Sequence, residues 1–417
     1  MTIAAVVGQH AEEAAFQWLL RDSAVSAPHY DLADLAKLDG RVDAHIDGLR
    51  IAGDQGWNLC AEALEHQEAG EVFAAAVLAL ESEDQSRFEK VFSAAQEDPS
   101  TVRGLVSALG WVSQESLRGT VKGLLSSPDP LRRRVGIAAC ALHRVHPKDA
   151  LGTAIGDEEE ALQSRALRAV GELGRTDLAG RLQATFQAED ASCRFWAAWA
   201  SVLTGNRTDA LELLRFFGTV ESAFRIRAMQ VALRVMTPAS SRQWLKGLRD
   251  GDGALRDVLV GVGIGGDPSY VPWLITQTDA PAVARVAGEA FTMIVGVDLA
   301  SEDLEGEWPE GFEAGPTDNP EDENVAMDAD EDLPWPDRPL VQKWWDANKI
   351  RFTPGQRYLV GQPITAAHCQ DVLRTGYQRQ RNAAAFELAL MEPEAPLFET
   401  RAPGFRQQRQ LACTPSA

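Results

Sequence analysis

Apolar residues return in nine-residue blocks about every 30 residues along most of the chain. The blocks are VFAAAVLAL from Val72, RGLVSALGW from Arg103, RVGIAACAL from Arg134, RALRAVGEL from Arg165 and FWAAWASVL from Phe195. They continue with RAMQVALRV from Arg227, RDVLVGVGI from Arg256, RVAGEAFTM from Arg285 and, after a gap, RNAAAFELA from Arg381. Up to Arg285 the starts lie 31, 31, 31, 30, 32, 29 and 29 residues apart. The second, fifth, sixth and ninth positions are mostly apolar or small, which marks one face of a helix. Between blocks lie second helical segments such as RFEKVFSAAQ, LRGTVKGLL, DLAGRLQATF, DALELLRFF and SSRQWLKGL, each followed by a turn rich in Asp, Gly, Pro or Ser. Helix, turn and helix at this period predict an all-α solenoid of about nine repeats.

The flanks modify that plan. Helices from about His10 to Arg21 and Asp31 to Arg50 predict an N-terminal helical cap over residues 1–60 with a polar outer face, ahead of an array over 61–300. Residues 301–339 are acidic and rich in Pro, Gly and Asn, the composition of a flexible insertion that acts as a solvated tether or as a docking arm for a basic partner. Residues 340–417 then predict a short β-hairpin, with two β-prone runs around the Thr-Pro-Gly-Gln turn of IRFTPGQRYLVGQPI, a final helical repeat and an irregular tail from Pro393.

Net charge is -21 over 417 residues, and its distribution is uneven. Residues 302–338 carry -14, residues 339–417 carry +4 and the first 301 carry -11. This argues against general affinity for nucleic acid or anionic membrane, which needs clustered Lys and Arg. A basic protein partner is compatible with it. No apolar run is long enough to span a bilayer. The opening MTIAAVVGQHAEEAAF lacks a basic n-region and carries Glu12 and Glu13, so a cytoplasmic location is expected. Five well-separated cysteines suggest neither a disulfide framework nor a thiolate metal site.

Arginine opens most of the blocks, with an acid four to six residues earlier, as in Asp98 and Arg103, Asp129 and Arg134, Glu160 and Arg165, Asp252 and Arg256, and Asp279 and Arg285; Arg227 and Arg381 also open blocks, and Asp190 precedes Arg194. One reading is a basic stripe that grips an anionic ligand. The other is a structural ladder of Asp–Arg pairs joining the turn of one repeat to the next. Arg132, Arg133, Arg165, Arg168 and Arg194 with Trp196 and Trp199 are the candidate partner-binding residues of the array. Trp335, Trp344 and Trp345, together with Trp308, stand in or beside the acidic segment as candidate anchors.

Literal motif matches do not survive their context. Gly261, Gly263 and Gly266 in GVGIGG fit a dinucleotide-binding spacing, but they lie in a helical repeat and not at a strand-to-helix turn. Cys140, His143 and His146 have a metal-like spacing, but Pro147 ends the helix and no fourth ligand is evident. No GxSxG, P-loop or HExxH pattern occurs, so no catalytic, cofactor-binding or metal residue is assigned and no cofactor is expected.

Residues 70–295 and 365–392 resemble HEAT repeats of the short bacterial kind related to phycobilisome lyases. That resemblance implies a curved superhelix with the second helices lining its concave side. HAEEAAFQWLLRDSAVSAPHYDLADLAKLDGRVDAHIDGL, GEVFAAAVLALES, RGLVSALGW, DPLRRRVGIAACALHRVHP, CRFWAAWASVL and RYLVGQP are similar to a proteobacterial HEAT-like family often encoded near type VI secretion components. The likeness implies a non-enzymatic adaptor, chaperone or immunity protein that binds a basic effector or a spike component. Paired His-Glu dipeptides of HEAT-like hydroxylases are missing. A glycosylase or lyase on the same scaffold is the alternative, with Arg132, Arg133, Arg134, Arg165, Arg168, Trp196 and Trp199 as its visible residues.

Overall fold

A computed structural model describes residues 3–82, 84–251, 255–316 and 326–413. The fold is all-α and solenoid-like in its packing of successive helices, with one two-stranded hairpin among the described residues. It divides into two compact units, Met1–Gly205 with Glu392–Ser416, and Asn206–Met391. That boundary falls within the stretch expected to be one array, and the tail belongs to the first unit.

The first unit contains α1 (Ala4–Ala24), α2 (Leu32–Ala52), α3 (Asp54–Ala63), α4 (Ala69–Glu81), α5 (Gln85–Glu97), α6 (Val102–Trp111), α7 (Thr120–Leu125), α8 (Pro130–Leu142), α9 (Asp149–Ala154), α10 (Glu160–Glu172), α11 (Ala179–Leu182) and α12 (Ala191–Leu203). Each apolar block of this unit lies in α4, α6, α8, α10 or α12, and these helices pack in that order. Small residues set their spacing. A Cβ on Gly104 of α6 would sit 2.0 Å from the carbonyl oxygen of Ala69 in α4, so the two backbones touch. The return helices are shorter than the sequence suggests. With 13 residues in each of α8, α10 and α12, a 31-residue period leaves little chain for two turns and a return helix. DLAGRLQATF accordingly breaks into a 3-10 turn, the four-residue α11 and another 3-10 turn. The outer face of α1 is mixed, with Gln9 and Glu12 exposed beside Phe16 and Leu20, which are 54% and 44% exposed.

The second unit contains α13 (Asp209–Thr219), α14 (Arg225–Val235), α15 (Pro238–Asp250), α16 (Leu255–Gly265), α17 (Val271–Gln277), α18 (Pro281–Val295), α19 (Arg338–Asn348), β1 (Tyr358–Leu359), β2 (Gln362–Pro363), α20 (Ala366–Thr375) and α21 (Gln378–Met391). Its blocks lie in α14, α16 and α18, which pack in series, and in α21. α21 lies back against α14 as well as α20, and is buried on every side, including Gln378, Arg381 and Glu387. The hairpin is real but its turn is Val360–Gly361, not Thr353–Gln356. Both turn residues have positive φ, 46° and 79°, as a two-residue hairpin requires. The Val360 amide donates to Met293 O at 2.8 Å and the Tyr358 amide to Gly266 O at 2.8 Å, so the ends of α16 and α18 select the register. Residues 349–351 form a 3-10 turn in place of the expected first strand.

Two irregular regions are also more ordered than their composition suggests. In the acidic segment, 317–325 lie outside the described residues; on either side Leu304 and Leu333 are buried, and Glu305 bridges to Pro336. The tail ends in α22 (Gly404–Ala412), which packs on α2 of the first unit. Gly404, Gln407 and Leu411 recur at helical spacing on its buried side, a short amphipathic signal within a basic, polar stretch.

Candidate binding groove and the arginine network

The recurrent acids and arginines do not pair as their spacing suggests. Asp98, Asp129 and Asp190 are helix N-caps that accept amide bonds from Ser100, Leu131 and Cys193 at 2.9, 2.8 and 2.7 Å. Glu159 caps α10, where Glu160 was the expected acid. An N-cap carboxylate satisfies orphan amides and meets the positive helix end, so the acid recurs for a local reason. The arginines reach elsewhere. Arg133 donates to Ser127 O and Pro128 O, Arg194 to Ala188 O and Glu189 O, and Arg225 to Thr219 O and Val220 O. Each hooks the carbonyls five and six residues back, across the turn into its own helix. Arg133 and Arg225 also reach acids further along the chain, Asp157 at 2.9 Å and Asp257 at 2.7 Å. The expected Asp98–Arg103 and Asp129–Arg134 rungs are not made. Arg103 pairs with Asp22 at 2.6 Å over the Trp18 ring, and half-buried Arg134 has no ion pair among the described residues. Asp279 pairs with Arg338, Arg227 is exposed, and Asp252 lies outside the described residues.

The candidate partner-binding arginines of the first unit are internally engaged. Arg132 grips Glu89 with two bonds, at 2.9 and 2.5 Å, and lies over the Phe92 ring. Arg165 and Arg168 converge on Glu172 at 2.9 and 2.7 Å, and Arg168 covers the Trp196 ring at 4.8 Å. Trp199 is buried against Gly171 of α10. Burial alone would raise the Glu172 carboxyl, but the charges of Arg165, Arg168 and Arg144 hold it down at about 2. The C-terminal strap closes over this cluster. Arg144 donates to Leu397 O at 2.7 Å and pairs with Glu399 at 3.1 Å, and Arg406 meets His143 at 3.1 Å.

In the second unit the acidic segment is held by two block-opening arginines. Arg256 makes a two-pronged pair with Asp330, and Arg285 donates to Asp330 O at 2.8 Å and Asp328 at 2.6 Å. The buried Arg285 guanidinium also lies 4.5 Å from the Trp335 ring and 5.4 Å from Trp308, two cation–π contacts. Trp335 is thus an internal clamp. Trp344 packs edge-on to Phe291, and Trp345 is buried beside Phe352.

The other motif matches resolve as packing. Gly261 and Gly263 are buried in α16, where a Cβ would meet Met229 at 2.4 Å and Ala290 at 3.1 Å; Gly266 ends the helix with φ +71°. Cys140, His143 and His146 do not converge: His143 bonds Leu109 O, His146 lies near Arg175, and burial pushes the Cys140 thiol up to about 11. Burial likewise raises Cys60, Cys193 and Cys369 to about 12, which keeps them protonated and poorly nucleophilic at neutral pH.

One surface feature was not singled out by the sequence. Arg242, Lys246 and Arg249 occupy one face of α15 at i, i+4 and i+7, and are exposed. Across from them stand Tyr270 and Trp273, leading into and within α17, with ring centroids 6.2 Å apart. Together they line a cavity of about 230 Å³. Ser269 also lines a second cavity of about 590 Å³, walled by Trp345, Phe352, Pro272 and Pro354. The two adjoin at Ser269 as a groove with a cationic, aromatic half and a proline-rich half, in which Asp346, Lys349 and Gln342 stand beside the apolar walls. Asp267, buried, anchors its floor: it caps the 3-10 turn Pro268–Tyr270, accepts the Gly355 amide at 3.1 Å and pairs with Arg242 at 2.9 Å. Lys246 has no ion-pair partner among the described residues. The signal was present as cations at positions 1, 5 and 8 of RQWLKGLR.

No protein-family model, curated protein or solved structure matches the chain. Among the described residues no helix is long and apolar enough to cross a membrane.

Proposed function

We propose that this chain is a protein-binding scaffold and not an enzyme. The observation that carries the proposal is the groove of the second unit, where cations and half-buried aromatic rings share one open surface while most of the other arginines serve internal contacts. Exposed Arg, Tyr and Trp are the side chains that anchor protein interfaces. The likeness to a family encoded near type VI secretion components directs the partner search to that machinery, in the cytoplasm. Aromatic anchors favour the adaptor role, and Asp328 and Asp330 of the acidic segment are bound to the chain's own arginines. The test is purification of the full chain from its native host, identification of co-eluting chains and reconstitution with the purified candidate. The expected result is one chain recovered in fixed stoichiometry that re-forms the complex. Retention of alkylated duplex DNA in place of a protein would overturn the reading in favour of a glycosylase.

A further inference from the structure

We infer that the groove between α15, the Pro268–Tyr270 turn, α17 and α19 takes an acidic, extended segment of the partner that carries an apolar side chain. The inference rests on the scaffold reading and adds the site and the chemistry of what it holds.

Charge complementarity selects the occupant. On a chain of net charge -21, Arg242, Lys246 and Arg249 bring three cations to one helix face. Asp267 offsets only the first, and Arg249 pairs with its exposed neighbour Asp250 at 2.8 Å. Two or three carboxylates at successive positions of an extended peptide would match this face. The Tyr270 and Trp273 rings opposite offer a flat apolar wall, on which an aromatic or proline side chain stacks. The adjoining cavity of about 590 Å³ continues the apolar wall with Trp345, Phe352 and Pro272. A long polyanion suits the site less well. Its charge would run on past the three cations over a protein of net charge -21, whereas the carboxylates of a short segment end within them and its apolar side chain fills the rest of the groove.

The probe is a fluorescein-labelled peptide of roughly twelve residues, enough to span some 40 Å when extended, made of Asp and Glu with one Phe and one Pro. It is titrated into the full-length protein and read by anisotropy. Saturable binding that weakens as salt rises is expected, because the cations are exposed and screened. Lys246→Glu is expected to weaken binding about tenfold or more, since it reverses an exposed charge without touching the core. Trp273→Ala is expected to weaken it comparably, with retained helicity and thermal midpoint showing that the protein is folded. The inference is overturned if the peptide does not bind at low salt, if a version with Lys replacing the acids binds equally, if Lys246→Glu has no effect, or if an oligonucleotide displaces the peptide as the better ligand. Failure of the peptide while a partner chain still co-purifies would remove this site and leave the scaffold reading standing. Failure of co-purification with a binding peptide would do the reverse.

Discussion

Arg285 and Asp328 are 43 residues apart in sequence and pair at 2.6 Å, which makes the acidic segment an internal ligand of the helix row. The arginine is 3% exposed and lies against the Trp308 and Trp335 rings, which also pack edge-on to each other. Removing the buried arginine leaves the Asp330 carbonyl and the half-buried Asp328 carboxylate without their donor. Arg285→Ala is therefore expected to free the segment. The Gly306 and Asp337 amides, which donate to Trp335 O and Leu304 O at 2.7 and 2.8 Å, would lose hydrogen-exchange protection. Unchanged protection at both would refute the clamp.

Glu172 gives the first unit an acid sensitivity. Its carboxyl is held at about 2 against an ordinary 4.5, so it binds a proton more readily in the unfolded chain. The stabilisation is complete above about pH 4.5 and is lost as pH falls toward 2. Glu172→Gln should lower stability near neutrality and flatten the decline between about pH 5 and 3, measured by denaturant midpoints at each pH. An equally steep decline in the variant would contradict the assignment.

Gly104→Ala tests the backbone contact between α4 and α6. In an exposed helix interior this change gains up to about 1 kcal/mol. Here the added methyl would collide with Ala69 O, so a loss of about 1–3 kcal/mol is expected instead. A thermal midpoint above wild type would show that the helices are not in backbone contact.

Removing residues 392–417 should uncover the arginine–glutamate cluster of the first unit. Arg144 would lose Leu397 O and Glu399, His143 would lose Arg406, and Trp111 would lose its edge contact with Phe405. Increased binding of a hydrophobic dye and a lowered unfolding midpoint are expected, and a midpoint equal to the full chain would mean that the strap is ornamental.

The helices were legible because burial imposes a period on the sequence, and each of the nine blocks lies in a helix. What lay between them was less so. Aspartates at turns read as ladder rungs because arginines recur with them, while the cap geometry they adopt depends on backbone angles that spacing does not carry. Arg103 finds Asp22 and Arg144 finds Glu399 across 81 and 255 positions of sequence, pairings that only the folded chain creates. The acidic segment looked like a solvated tether because its composition is polar, yet Leu304, Leu333 and Trp335, with Arg256 and Arg285, seat its described parts. The groove escaped notice for the opposite reason: its cations stand on a connecting helix, α15, outside the repeating blocks, and its aromatic wall comes from a turn and a seven-residue helix.

Site-specific photo-crosslinking in the native host tests the central claim most directly. A photoreactive residue placed at Lys246, with exposed Lys122 of the first unit as the control position, should trap one dominant protein from the first position and none from the second. The same adducts from both positions, or none from either, would contradict a scaffold that binds its partner through the groove.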